Sequence, residues 1–165
     1  MGDMTEPLRD LLDKLCALAA EPGQPDERLQ AVCRLLRDEL EGYDWVGFYL
    51  VDPTADRQLF LGPFEGEPTE HTRIPFGKGI CGQAAEREET FVIDDVTRES
   101  NYLACSVVVK SETVVPVLHE GRLAGELDID SHRVAAFEAE DREFCEAAAA
   151  LVASDCAAVS ADGPR

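Results

Sequence analysis

Trp45-Val46-Gly47-Phe48-Tyr49-Leu50-Val51 is the stretch on which the fold of this chain turns. It is dense in aromatic and β-branched residues, which suit a half-buried, pleated strand. Asp52-Pro53-Thr54-Ala55-Asp56 follows with the residues of a turn, and Gln58 to Leu61 returns as a second arm. Two arms joined this closely form a hairpin, and hairpins build antiparallel sheets. Gly62-Pro63-Phe64-Glu65-Gly66 is expected to break the sheet, and Thr72 to Pro75 reads as a third strand.

Downstream, Gly79 to Glu86 reads as a short helix opened by glycines, and Phe91 to Ile93 as a brief strand. Asp94 to Lys110 is a long polar connection, and such connections in compact domains tend to carry function. Thr113 to Leu118 and Leu123 to Ile129 form a further hairpin through His119-Glu120-Gly121-Arg122.

Helices bracket this strand-rich middle. Leu8, Leu11, Leu12 and Leu15 repeat at helical spacing within residues 5–21, with Thr5 at the cap and Glu21-Pro22-Gly23 as the stop. Pro25 opens a second helix that runs to about Leu40, with Leu29, Val32, Leu36 and Leu40 on one side and Gly42 closing it. Glu138 to about Val159 reads as one closing helix. The expected architecture is α+β, an antiparallel sheet flanked by N- and C-terminal helices. One domain spans residues 1–159, and the tail at 160–165 is expected to fray.

The 165 residues carry a net charge of −19 (15 basic against 34 acidic groups), with only three lysines, Lys14, Lys78 and Lys110. A surface this acidic repels nucleic acid and anionic lipid, which excludes both as primary partners. Apolar residues make up 45% of the chain, enough for a real core. No apolar run reaches membrane-spanning length. Met1 to Glu6 has no basic region with an apolar run behind it, so no secretory signal is expected and the protein is assigned to the cytoplasm.

In that compartment thiols stay reduced unless they take part in catalysis. Of six cysteines, Cys16, Cys33, Cys145 and Cys156 fall on helices and read as small buried hydrophobes. Cys81 lies in a glycine-rich turn, Gly77-Lys78-Gly79-Ile80-Cys81-Gly82, and Cys105 in a polar loop, Asn101-Tyr102-Leu103-Ala104-Cys105-Ser106. No CxxC pair occurs, and His71, His119 and His132 have no ligand spacing, so no metal site is expected. Asp128 and Asp130 share one strand face by period two, and Glu112 opens the neighbouring strand. Trp45 and Tyr49 share a face in the same way. Two loop thiols and three carboxylates suit thiol redox chemistry on a small cationic substrate. They also fit a module that only senses a small molecule.

This layout resembles a GAF domain, and its middle is similar to the free methionine-(R)-sulfoxide reductases. The strings that carry the likeness are Trp45-Val46-Gly47-Phe48-Tyr49-Leu50, Leu61-Gly62-Pro63-Phe64-Glu65-Gly66 and Arg73-Ile74-Pro75-Phe76-Gly77-Lys78-Gly79-Ile80-Cys81-Gly82. Ala104-Cys105, Ser111-Glu112 and Leu127-Asp128-Ile129-Asp130-Ser131 follow in order. The resemblance implies reduction of the free amino acid sulfoxide by a thiol reductant such as thioredoxin, with no metal or bound organic cofactor, in a possible homodimer. It implies Cys105 as the catalytic thiol, Cys81 as a second redox cysteine, Glu112, Asp128 and Asp130 around the substrate, and Trp45 and Tyr49 as aromatic walls. The family's usual resolving cysteine stands ten residues before the glycine-turn cysteine, where this chain has His71. Cys81 or an external thiol is then left to condense with the sulfenic acid. The alternative implied by the same fold is a non-catalytic GAF module that binds a small molecule or senses redox state.

Overall fold

The computed structural model describes residues 4–103 and 108–165. Cys105 and its neighbours Ala104, Ser106 and Val107 lie outside the described residues. Five α-helices, six strands and one short 3-10 turn at Val96–Arg98 make up the described chain. The strands are β1 (Trp45–Val51), β2 (Gln58–Glu65), β3 (Arg73–Pro75), β4 (Phe91–Ile93), β5 (Ser111–His119) and β6 (Arg122–Ser131). They form one sheet in the order β3-β2-β1-β6-β5-β4, with every pairing antiparallel. The helices are α1 (Glu6–Ala19), α2 (Pro25–Glu39), α3 (Gly79–Arg87), α4 (Ala139–Leu151) and α5 (Ala153–Asp162). This is the expected α+β arrangement.

Period two divides each strand between two different surroundings. Val46, Phe48 and Leu50 of β1, with Leu127 and Ile129 of β6, face a core built from α1, α2, α4 and α5. Leu8, Leu11 and Leu15 of α1 and Leu29, Val32 and Leu36 of α2 are buried there. Each such side chain contributes about 1.5–3 kcal/mol of transfer free energy, so this side carries most of the stability. Trp45, Tyr49 and Val114 face the other way, against Ile80, Cys81, Ala84 and Ala85 of α3.

Four local expectations change. First, β2 continues through Gly62 and Pro63 to Glu65 instead of breaking at Gly62. Gly47 pairs with Phe64 and Tyr49 with Leu61, so Gly62 and Pro63 together oppose Phe48 as a bulge. A bulge leaves a residue out of the ladder and tolerates a proline that lacks an N–H. Second, the closing helix is two helices, bent by 59° at Val152. The bend lets Asp155 of α5 receive Arg28 of α2 at 2.7 Å.

Third, α5 runs to Asp162, beyond Val159. The Ser160 hydroxyl donates to the Val51 carbonyl at 2.6 Å, which ties this end to β1. Fourth, Cys16 is exposed, whereas Cys33, Cys145 and Cys156 are buried. Leu15 already occupies the inward position on α1, and the next residue is turned by about 100°. No single helix is long and apolar enough to cross a membrane among the described residues.

Candidate active site

The sheet face opposite the four-helix core gathers the acidic and aromatic residues in rows. Trp45 of β1 pairs with Asp130 of β6, which pairs with Glu112 of β5. One step along, Gly47 pairs with Asp128 and Asp128 with Val114. One step further, Tyr49 pairs with Glu126. Glu112, Glu126, Asp128 and Asp130 are each at most 3% exposed.

Helix α3 lies over this face and delivers Cys81. Its Sγ stands 4.0 Å from Glu112 Oε2. The Cys81 sulfur and one oxygen each of Glu112 and Asp128 lie within 4.8 Å of one another. The turn ahead of the helix is held by the Lys78 N–H on the Pro75 carbonyl at 3.1 Å and the Gly77 N–H on the Gly82 carbonyl at 2.8 Å. Gly79 has φ +63, and an added Cβ there would press on Leu103. Glycine relieves both constraints.

Asn101 docks the start of the Cys105 segment onto this turn. Its Oδ1 accepts from the Gly79 N–H at 3.0 Å, and its Nδ2 donates to the Gly77 carbonyl at 2.7 Å. Leu103, His71, Cys81 and Glu112 all line one small pocket of about 10 Å³.

The aromatic wall has three members. The rings of Trp45 and Phe64 stack with centroids 5.4 Å apart, and those of Trp45 and Tyr49 lie 6.3 Å apart. A Cβ at Gly47 would collide with the Trp45 ring and Phe64, so glycine is what lets the rings lie flat on the sheet. The Trp45 indole N–H donates to the Glu67 carbonyl at 3.0 Å. A pocket of about 110 Å³ opens beside Trp45 and Asp130, with Val109, His132 and Glu67 around it.

Glu112, Glu126, Asp128 and Asp130 make the face acidic, with Arg37 and Lys78 among the residues that line its two pockets. Glu126 and Asp128 enter no ion pair among the described residues, and no hydrogen bond of ordinary length reaches their carboxylate oxygens, whose polar neighbours are Cys81 and, for Asp128, Glu112. Removing a carboxylate from water costs several kcal/mol without an ion pair or close hydrogen bond, so the neutral form gains. Burial pushes the Glu126 carboxyl well above its ordinary value, and the charge of Asp128 adds to this, while Cys81 offsets part of it. Burial likewise raises Asp128, with Glu112 and Cys81 pulling the other way. Such a site holds protons that it can give to a departing oxygen.

Glu112, Asp128, Asp130, Trp45 and Tyr49, all expected at the site from sequence, therefore share one sheet face, and Cys81, expected with them, meets it from α3. Cys105 lies outside the described residues. Sequence reading overlooked Glu126, although it continues the period-two series of Asp128 and Asp130. It also overlooked the docking role of Asn101.

The family model of the GAF domain matches residues 24–155. GAF domain-containing protein A of Dictyostelium discoideum is 35% identical over 143 residues, covering 87% of this chain and 88% of that protein. The free methionine-R-sulfoxide reductase of Saccharomyces cerevisiae is 39% identical over 114 residues, covering 68% of this chain and 63% of the yeast protein. Among solved structures, free methionine-R-sulfoxide reductase from Neisseria meningitidis, in complex with its substrate, superposes with a TM-score of 0.86 at 34% identity. That match covers 98% of this chain and 96% of the other.

Proposed function

The chain belongs to the GAF domain family, and from that premise we propose that it reduces free methionine-(R)-sulfoxide to methionine, drawing electrons from thiols. The observation that carries this reading is the buried row of Trp45, Asp130 and Glu112, with Cys81 4.0 Å from Glu112. The likeness to the substrate-bound Neisseria meningitidis enzyme over nearly the whole chain supports it.

In the first step the Cys105 thiol attacks the electrophilic sulfoxide sulfur. The oxygen passes to Cys105 as a sulfenic acid, the sulfoxide leaves as methionine, and the thiol's proton stays in the products. Sulfur is reduced by two electrons in the substrate and oxidised by two in Cys105. Asp128, neutral in part because burial disfavours its charge, gives a proton to the oxygen as it leaves the substrate and takes the thiol's proton in return, so the proton count is unchanged. Asp130 and Glu112 accept hydrogen bonds from the substrate ammonium. Trp45 and Tyr49 flank the methyl-sulfur end. In the second step the Cys81 thiol condenses with the sulfenic acid, forming a disulfide and water. A dithiol such as thioredoxin then returns both sulfurs to the reduced state. The reading also includes a cytoplasmic setting and pairing of two chains.

The test is turnover of racemic free methionine sulfoxide with dithiothreitol or thioredoxin, each epimer followed separately. The R epimer should disappear, while the S epimer and a peptide-bound sulfoxide should persist. Absence of turnover with either reductant overturns the assignment.

A further inference from the structure

The cluster formed by Cys81, Glu112 and Asp128 has a property that sulfoxide reduction does not use. It brings one thiol and two carboxylates to one buried point, with no basic side chain paired to Asp128 or to the adjoining Glu126 among the described residues. Asp128 is wholly buried, no hydrogen bond of ordinary length reaches its oxygens there, and one of them is turned toward the Cys81 sulfur and Glu112, the polar groups that act on it. A buried carboxylate with no basic partner, aimed at two further donor atoms, calls for a proton or a cation.

We propose that Cys81, Glu112 and Asp128 form a binding site for one borderline-soft divalent cation of the zinc class. The donor set selects the metal. A thiolate disfavours magnesium and calcium, which take oxygen ligands, and suits zinc or cobalt. Tetrahedral ligands at zinc–sulfur and zinc–oxygen bond lengths lie roughly 3.4–3.6 Å apart. The three donor atoms lie within 4.8 Å of one another, so an inward shift of roughly half an ångström to one ångström per side chain closes the site around an ion. The small pocket of about 10 Å³ against Cys81, Glu112 and His71 leaves room for a water in the fourth position.

Binding breaks the Cys81 S–H bond, forms a sulfur–metal bond and releases the proton to water. No electron moves. The captured ion occupies Glu112, assigned to the substrate ammonium, and Asp128, assigned to the proton transfer, and holds the sulfur assigned to the second step. Cation and substrate therefore exclude one another, and the ion stops turnover. That consequence rests on the reductase reading; the cation site itself does not.

Cobalt(II) is the probe, because a Co–thiolate bond gives a charge-transfer band and tetrahedral ligation intensifies the visible bands. The full chain carrying Cys105→Ser, reduced and stripped with chelator, should bind one Co²⁺ with both signatures. The spectrum should be unchanged on adding Cys16→Ser to this background and should lose its charge-transfer band on adding Cys81→Ser. Asp128→Asn should weaken binding at least tenfold. Far-UV circular dichroism checks each variant, and Glu112→Gln, with the same expected weakening, replaces any that fails to fold. A missing thiolate band, or one that persists in Cys81→Ser, overturns the site, as does equally tight binding of Mg²⁺. Free methionine-(R)-sulfoxide should displace the cobalt. Cobalt that stays bound at saturating sulfoxide overturns the exclusion, whether or not the enzyme turns over.

Discussion

The Tyr49 hydroxyl donates to the His71 carbonyl oxygen at 2.9 Å. One aromatic wall of the site thereby holds the backbone of the segment that rims the pocket beside Cys81. A single neutral hydrogen bond contributes about 0.5–1.5 kcal/mol net. Tyr49→Phe keeps the ring and removes this tether. The Michaelis constant for methionine sulfoxide should rise a few-fold while kcat changes by about twofold or less, since the reacting sulfurs are untouched. Steady-state kinetics that superpose on the wild type would deny the tether a role.

The thiols should divide sharply. Cys105→Ser should abolish turnover. Cys16→Ser, Cys33→Ser, Cys145→Ser and Cys156→Ser should leave it largely intact, because none of these four lies on the acidic face. Substrate added without reductant should produce a Cys81–Cys105 disulfide, visible by peptide mapping, which requires the two Cα atoms to come within about 7 Å. Cys81→Ser should still release about one methionine per chain in a single turnover and then recycle slowly. A full steady-state rate in that variant would move the resolving role to an external thiol.

Glu126 sets a pH dependence in the metal-free protein. Its folded-state pKa is raised above the ordinary 4.5, first by burial and then by Asp128. The native state therefore holds a proton that the unfolded chain gives up. The resulting stability is complete below about 4.5 and is lost as pH rises toward the folded-state value. Glu126→Gln keeps the shape and never ionises, so its melting temperature should fall less from mild acid to neutral pH and exceed the wild type's at neutral pH. Parallel curves would mean that folding does not raise the Glu126 carboxyl, or that another group compensates it across the whole range.

Asp52 works with the opposite sign. Its side chain, at the end of β1, accepts from the Thr54 hydroxyl at 2.7 Å and the Thr54 N–H at 2.8 Å, and Arg73 of β3 reaches it at 2.9 Å. These contacts, the Thr54 hydroxyl foremost, hold its pKa below the ordinary 3.8. Its contribution is present above 3.8 and disappears as pH falls through the lowered value. Asp52→Asn should unfold at lower denaturant than the wild type at neutral pH, and the gap should narrow in strong acid. A gap that stays constant with pH would point to packing alone.

The sheet was legible because both long hairpins carry strand composition up to a turn and away from it, and the faces follow from period two. The break at Val152 was not, since neither proline nor glycine marks it and an alanine-rich run gives no phase. It accompanies a tertiary contact that local sequence does not encode, between Asp155 and Arg28. The strand through Gly62 and Pro63 was hidden because breakers in sequence also mark bulges. Within the site, Asp128 and Asp130 could be placed together from spacing alone. Their closeness to Cys81 could not, because α3 reaches the sheet through a turn whose docking depends on Asn101, more than twenty residues away. Cys16 misled because the hydrophobic stripe of α1 is narrow: Leu8, Leu11 and Leu15 fill it, and its immediate neighbour points to solvent.

The sheet also partitions the sulfurs of the chain. Behind it, burial pushes the thiols of Cys33 and Cys156 up and that of Cys145 to about 12. Cys16 sits outside, on the surface of α1. A brief pulse of maleimide dye should mark Cys16 within minutes and leave the three interior sulfurs dark until the whole core opens. Their delayed labelling then becomes a clock for global unfolding that runs in buffer without denaturant, built into the molecule.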